Sequence, residues 1–598
     1  RIVNMGNFHY NADLEDIEFN LFNLFNTEEI LKNSSIDVES AKSILKEIKR
    51  LSEDELAKTF NDHNFKKPVL DKSDKSVVLD PDFKISFRKY LEGGWNSLGV
   101  FEELGGTPLP ETLRQSINEM LVGANPSLYL YIGMMDFCNV LYLEGTEEQK
   151  KLAKVMFEKK WCATMMLTEA EAGSDVGSMR SKAYKREDGS WSLKGSKRFI
   201  TSGEHDLSEN IIHFVLARPE GAQDGSKGLS LFIVPKYLVN SDGSLGARNG
   251  IYASALESKL GINFSATCEM QLGEKEECIG YLLGDKHDGI RQMFLIIQGA
   301  RMMVGLKAIS TLSAAYFNSR RYVKERVQGY KLSDVKREKG LVSIDKHLQV
   351  KHDVIYLRAM SQGLRSLVLF TASIQDRIKS DPENKGLISL NQLLLPIVKG
   401  YGSECAYNLI GNQALSLFGG SGYTTDWPIE QYLRDSKIDT LYEGTTNIQA
   451  NDFFFRKILK DGGVGLSKLL ELINLNQEYP LEVADEYKIF REALESYQNL
   501  IGILIGKAME AREDSVVLDD LGLKTRRLLE LSGDLMLLWL ALESYRVAVR
   551  DSFKKEFINH KLLNIKVLVK ERGAHLINNL NLLGINDDYF NQLESEEL

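Results

Sequence analysis

The chain has 598 residues, 43% of them hydrophobic and 26% charged, and carries a formal net charge of −10. That length exceeds what one hydrophobic core supports, so three or four packed units are expected. The acidic balance argues against nucleic acid, which wants a basic stripe, and against an anionic membrane surface.

The five cysteines (Cys138, Cys162, Cys268, Cys278 and Cys405) form no CxxC pair and sit beside no histidine cluster. Free thiols in a reducing compartment are expected, with no disulfide frame and no metal site. No run reaches the roughly eighteen apolar residues that a membrane span needs. The opening stretch turns acidic at Asp13, Glu15, Asp16 and Glu18, unlike a targeting leader, with Met5 as the expected native start. A cytoplasmic protein is expected.

In chain order, residues 1–37 form an extension. Residues 38–160 are mostly helical, interrupted at Glu92-Gly93-Gly94-Trp95 and Gly105-Gly106-Thr107-Pro108. Residues 161–288 change character. Short β-prone runs appear at Trp191-Ser192-Leu193, Ile211–Leu216 and Leu229–Val234, separated by turn clusters such as Glu187-Asp188-Gly189-Ser190 and Ser241-Asp242-Gly243-Ser244. They predict a small antiparallel barrel or sandwich. From Gly289 the pattern is helical again, with a break at Asp461-Gly462-Gly463 that divides residues 289–460 from an added helical domain, 461–598. In that last part Leu528, Leu531, Leu535, Leu538, Leu542, Tyr545 and Val549 recur at spacings of three and four, placing them on one buried helix face. The fold class is mainly α with a central β domain.

Four segments carry candidate chemistry. Leu167-Thr168-Glu169-Ala170-Glu171-Ala172-Gly173-Ser174-Asp175 joins two hydroxyls to a small-residue turn, which lets backbone amides approach an anionic or heteroaromatic ligand. Lys197-Arg198-Phe199-Ile200-Thr201 could set a ring against a flat cofactor and a hydroxyl at its edge. Tyr322 to Gly329 offers Arg326, a forked permanent cation suited to a pyrophosphate, and Gln328 beside it. Leu441-Tyr442-Glu443-Gly444-Thr445-Thr446-Asn447-Ile448-Gln449 places a lone carboxylate between an aromatic and a glycine. A carboxylate partly removed from water has a raised pKa and is a better proton acceptor. Taken singly, each also reads as an ordinary turn, strand end or helix end.

Together, in this order and at these separations, the four segments resemble the acyl-CoA dehydrogenase family from about Tyr10 to at least Lys457. The resemblance extends to the long bacterial branch of about six hundred residues with an extra C-terminal helical domain, through Gly203-Glu204-His205-Asp206-Leu207, Ser230–Lys236 and Ile448–Asp452. It implies a helical domain, a middle β-barrel or sandwich, a four-helix bundle carrying the base, and the added domain. It implies FAD as cofactor and Glu443 as the base that takes the α-proton of an acyl-CoA while a hydride leaves the β-carbon. Thr168, Thr201, Phe199, Ser174, Thr445, Asn447 and Gly420 are then expected on the FAD. Arg326 and Gln328 are expected to reach the FAD of a partner subunit, which implies a homodimer. Gly173, Ser174, Arg301, Glu443 and Gly444 are expected on the substrate side, and electron-transfer flavoprotein is the expected acceptor.

Two positions depart from the family pattern. Phe199 stands where many relatives carry Trp, and Ser416 where relatives tend to have Gln. The first rival reading is an acyl-CoA oxidase that reoxidises with oxygen. The second is a flavoprotein repurposed for nucleic-acid binding, which the acidic last domain opposes. His205 reads as part of a hydrogen-bonded loop. The substrate is expected to be a medium- to long-chain fatty acyl-CoA, or else a short sulfur-containing one such as 3-methylmercaptopropionyl-CoA.

Overall fold

The computed structural model describes residues 9–32, 34–61, 67–475, 478–511 and 515–583, so Met5 lies outside the described residues. The chain forms two compact units. One gathers Arg1–Asn11, Asn33–Pro110 and Met120–Ala300; the other gathers Ala12–Lys32, Glu111–Glu119 and Arg301–Leu598. The class is mainly α with a central β domain, as expected.

In the first unit, helices start where side chains can satisfy free backbone N–H groups. Asp37 accepts from Ser40 N before Val38–Asp54, and Asp80 with Pro81 opens Pro81–Glu92. Thr146 and Gln149 form a reciprocal capping box at Glu147–Glu158. The glycine-rich interruption forms the short turns Trp95–Ser97 and Glu102–Leu104.

Eight strands make the main sheet: β1 (Cys162–Met166), β2 (Lys182–Lys185), β3 (Trp191–Thr201), β4 (Ile211–Pro219), β5 (Ser230–Pro235), β6 (Ile251–Leu256), β7 (Thr267–Leu272) and β8 (Cys278–Leu282). Their order is β6-β7-β3-β8-β5-β4-β1, with β2 pairing both β3 and β4. Most pairings are antiparallel, but β1 and β2 each run parallel to β4. Parallel neighbours need a long connection, and residues 167–210 supply it for β1 and β4. Strand β4 is buried along its whole length, which explains why its sequence is apolar apart from His213 and Arg218. Its one imidazole, His213, is paired with the Thr164 hydroxyl at 2.7 Å. The core behind the sheet collects Trp161, Phe214, Leu231, Ile233, Met156 and Met293.

The second unit is helical, built on Leu348–Ser380, Lys385–Pro396, Ile429–Lys437, Ala484–Glu510, Val517–Arg550 and Lys555–Leu568, with the later part of Gly289–Glu325. Val517–Arg550 packs against Leu348–Ser380, Ala484–Glu510, Lys555–Leu568 and Thr446–Asn451. The predicted Leu528-to-Tyr545 face is buried, but so are Leu529, Met536, Leu537 and Leu540 between its members, while Val549 is exposed. With helices on several sides there is no solvent face to keep polar, so periodicity understated the burial.

One expectation needs correction. Among the described residues, Gly289–Glu325 is long and apolar enough to cross a membrane by length and composition, and 56% of its most apolar window is buried within the protein. Gln298, Arg301 and Lys307 interrupt its apolar residues, so no unbroken run appears in the sequence.

A buried ion network holds the second unit's distant segments together. Arg365 donates to Asp16 at 2.6 Å and to both oxygens of Glu119 at 2.6–3.0 Å, and Lys561 pairs with the other Asp16 oxygen. Breaking such a network by removing one member leaves a charge without compensation, typically at a cost of about 3–5 kcal/mol.

Candidate active site

The first unit presents the turn that follows β1 beside the end of β3. Glu169 and Ala172 exchange backbone hydrogen bonds of 3.1 and 3.2 Å, closing a tight turn. The Glu169 carboxylate accepts from Arg180 N at 2.6 Å, Ser181 N at 3.1 Å and Lys197 Nζ at 2.8 Å, while Lys197 also donates to Leu167 O at 3.0 Å. Burial would raise the Glu169 carboxyl, but the Lys197 charge and these hydrogen bonds bring it below its ordinary value. Burial pulls the Lys197 ammonium down in turn. This pair ties the turn to β3, as does the 2.8 Å bond from Arg198 N to Thr168 O.

A bulge then sets the direction of Phe199. Ile200 pairs with Cys268 and Lys197 with Met270, so Arg198 and Phe199 together face the single residue Glu269. Phe199 takes the left-handed backbone conformation at φ 59° and the residue is 55% exposed. Ser202, also left-handed, donates to Leu130 O at 3.1 Å. An aromatic ring turned outward and a non-glycine residue with positive φ are costs a fold retains where they serve a site. The hydroxyls of Thr168 and Thr201 have no hydrogen-bond partner among the described residues, Ser174 is exposed, and a Cβ on Gly173 would meet nothing within 4 Å. Beside this turn lies a cleft of about 840 Å³ lined by Asp175, Ser178, Arg180, Lys182, Arg218 and Ser226.

His205 is fully buried, edge-on to Tyr131 at 5.1 Å, and its Nδ1 accepts from Leu207 N at 3.2 Å. Burial and the Lys236 charge lower its pKa to about 3. It stays neutral near pH 7 and has a structural place.

In the second unit, the helix Ile429–Lys437 ends through Ile438–Thr440, and Glu443 and Gly444 reverse the chain with φ 56° and 91° before Thr446–Asn451 begins. Below the turn, the buried Asp439 carboxylate accepts from Lys307 Nζ at 2.8 and 2.9 Å and from the Tyr442 hydroxyl at 3.0 Å. Gln449 Nε2 donates to Glu443 O at 2.8 Å, Lys399 Nζ donates to Gly444 O at 2.5 Å, and the Thr446 hydroxyl donates to Glu404 at 2.7 Å. Thr525, from the added C-terminal helices, donates to Asn451 at 2.8 Å.

Both functional groups of Glu443 remain available. Among the described residues its carboxylate takes no hydrogen bond and its backbone N–H finds no acceptor. Burial raises its pKa, opposed by the charges of Arg301 and Lys399. Arg301 is held by Asp452 at 2.8 Å, with its Nε buried and unpartnered. Thr445 and Asn447 are exposed just beyond the turn.

The remaining predicted residues lie elsewhere in this unit. Arg326 donates to Gln328 at 2.9 Å within an exposed strap that pairs with residues 342–344. Gly420 follows the helix Leu415–Phe418 and is exposed, with nothing within 4 Å of a Cβ placed there. Sequence reasoning missed Lys399 and the clamping role of Gln449. The signal for Lys399 was a lone cation in the apolar run Leu393–Tyr401.

The β domain of the first unit and the clamped left-handed Glu443 turn of the second lie in the segments where known families can be compared. The sequence profile for the acyl-CoA dehydrogenase middle domain matches residues 164–274, and that for the C-terminal domain matches 287–454. A broad-specificity linear acyl-CoA dehydrogenase of Mycobacterium tuberculosis (FadE5) is 44% identical over 90% of this chain and 91% of its own. A 3-methylmercaptopropionyl-CoA dehydrogenase of Ruegeria pomeroyi is 33% identical over 78% of this chain and 79% of its own. A crystal structure of a Bacillus anthracis acyl-CoA dehydrogenase complexed with FAD has the same fold, with a TM-score of 0.68 over 98% of this chain and 93% of that one, at 19% identity. The chain belongs to the acyl-CoA dehydrogenase family, and it is an enzyme.

Proposed function

We infer that the chain oxidises a linear acyl-CoA thioester to the trans-2-enoyl-CoA, with Glu443 as base and FAD as cofactor. The observation that carries this reading is the Glu443 turn, in which the carboxylate and the backbone N–H of one residue are both unsatisfied.

The residues present fit FAD. Phe199 offers an exposed ring face, Thr168 and Thr201 offer free hydroxyls, and the open positions at Gly173 and Gly420 allow close approach to backbone. Thr445, Asn447 and Ser174 are further contacts in this reading. When bound, FAD supplies the acceptor for the hydride that leaves the β-carbon.

The Glu443 carboxylate takes the α-proton, and its N–H donates to the thioester oxygen as negative charge develops there. Partial burial makes the carboxylate a stronger base than one in water. Arg301 shapes the substrate side, with Gly444 beside the base. The cleft bearing Arg180 and Lys182 suits the phosphates of the CoA nucleotide. Electrons then pass to electron-transfer flavoprotein, and Arg326 with Gln328 serves the FAD of a second subunit, making the working form a homodimer.

Turnover of a panel of acyl-CoAs, with electron-transfer flavoprotein or an artificial dye as acceptor, tests this reading. Linear substrates should yield 2-enoyl products with little peroxide. Stoichiometric peroxide would assign an oxidase, and failure of every thioester would remove the reading.

A further inference from the structure

Lys399 is wholly buried, on a π-helical stretch, Ile397–Tyr401, that directly follows Pro396. Pro396 has no N–H for the ladder and crowds the preceding turn, and a π-helical turn widens the helix at that point. The stretch packs against Ile438–Thr440, Thr446–Asn451 and Val517–Arg550, the elements before, after and behind the Glu443 turn. An ammonium has three donor hydrogens, yet among the described residues the one acceptor of Lys399 is the Gly444 carbonyl at 2.5 Å. Among the described residues no carboxylate makes a salt bridge with it. A buried cation held by one carbonyl is expensive, and an apolar residue would fill the same place at lower cost.

Resting on the reading of Glu443 as base, we propose that Lys399 is a positioning residue for the reaction: its ammonium holds the Gly444 carbonyl, fixes the left-handed Glu443–Gly444 pair, and places a positive charge beside the base. Gln449 grips the neighbouring Glu443 carbonyl from the opposite side of the sequence, so two consecutive carbonyls are fixed by two side chains. That leaves the Glu443 carboxylate and N–H as the parts of the turn directed elsewhere. The charges acting on Lys399 are Asp439, Glu443 and Glu404, which favour its protonated form, and Arg301, which opposes it. Burial outweighs the three carboxylates and lowers the Lys399 pKa to about 8. Those acting on Glu443 are Arg301 and Lys399.

The test uses flavin-loaded full-length protein with Lys399→Met, Lys399→Gln and Glu443→Gln, read by flavin content, thermal midpoint and the pH profile of kcat/KM for one linear acyl-CoA. Lys399→Met should keep its flavin and lose about 10²-fold in kcat, the scale of a small misplacement of a reacting group. Its acidic limb should move to higher pH, because a positive charge near the carboxylate is gone. Lys399→Gln retains a donor for Gly444, so kcat should recover in part while the shifted limb remains. Should Lys399→Met fold poorly, Lys399→Gln carries the test, since the limb reports charge and not packing. An unmoved limb in folded, flavin-loaded variants, or failure of both to load flavin, overturns the proposal and leaves Lys399 a stability role. If Glu443→Gln itself stays active, the base reading fails, whatever Lys399 does.

Discussion

The side-chain amide of Gln449 donates a 2.8 Å hydrogen bond to the backbone carbonyl of Glu443, six residues earlier in the chain. A Cβ added to Gly444 would lie 2.9 Å from that same amide nitrogen, and Gly444 already has φ 91°. Gly444→Ala therefore meets both strain and a clash. A loss of about 1–3 kcal/mol of stability is expected from the backbone alone. Chemical denaturation should show it, with kcat falling as the turn shifts.

Glu443→Gln keeps the shape of the side chain and removes its basicity. The protein should fold and retain FAD while kcat drops at least ~10²–10⁴-fold, the contribution of a positioned base. With Glu443 as the proposed base, activity in the unmodified protein would require the deprotonated carboxylate, whose pKa burial raises. The kcat/KM profile should therefore fall on the acid side at a higher pH than a free glutamate would give. Near-normal turnover in the variant would move the base to another residue.

Lys197 and Glu169 are a buried pair, with side chains 0% and 9% exposed. Lys197→Met would leave Glu169 buried with its charge uncompensated, a change that typically costs about 3–5 kcal/mol. Because the pair anchors the Thr168 turn to β3, flavin should also be released more readily. Differential scanning fluorimetry with and without added FAD would measure both effects, and unchanged flavin retention would separate the turn from the cofactor.

Arg326→Ala removes a forked cation from an exposed strap and should leave the subunit folded, its thermal midpoint falling only by the stabilisation that bound FAD and the dimer supply. Weaker FAD retention with loss of dimer, read by flavin absorbance and sedimentation, is the expected result. Full flavin content in the variant would contradict the assigned contact.

Three buried imidazoles, His9, His205 and His213, make the first unit sensitive to acid, since burial lowers the pKa of each. Burial lowers the pKa of His9 and of His205 from 6.5 to about 3. Between these values the unfolded chain binds more protons than the folded one, so stability rises with pH across the window. The contribution is complete above about pH 6.5 and is lost as pH falls toward 3. The thermal midpoint should drop between pH 7 and pH 5, and His205→Gln should flatten that drop. An unaltered slope in the variant would assign the acid sensitivity to other groups.

Legible in the order of residues were the helix–sheet–helix arrangement, the strand runs of β4 and β5, and the Glu443 turn. These are local matters: periodicity, turn chemistry and short motifs reflect the backbone of a few neighbouring residues. The burial of residues 531–545 of Val517–Arg550 on every side was not legible, because amphipathic spacing reveals one partner and this helix has several. Nor was the attachment of residues 12–32 to the second unit through Asp16, whose partners Arg365 and Lys561 lie hundreds of positions away. The same holds at the site. Glu443 could be singled out from its flanking residues, but that its carboxylate and N–H are both left free depends on Lys399 and Gln449 taking the two carbonyls beside it. Packing brings Lys399 to that turn across 45 residues of chain, and spacing along the chain carries no trace of such an approach.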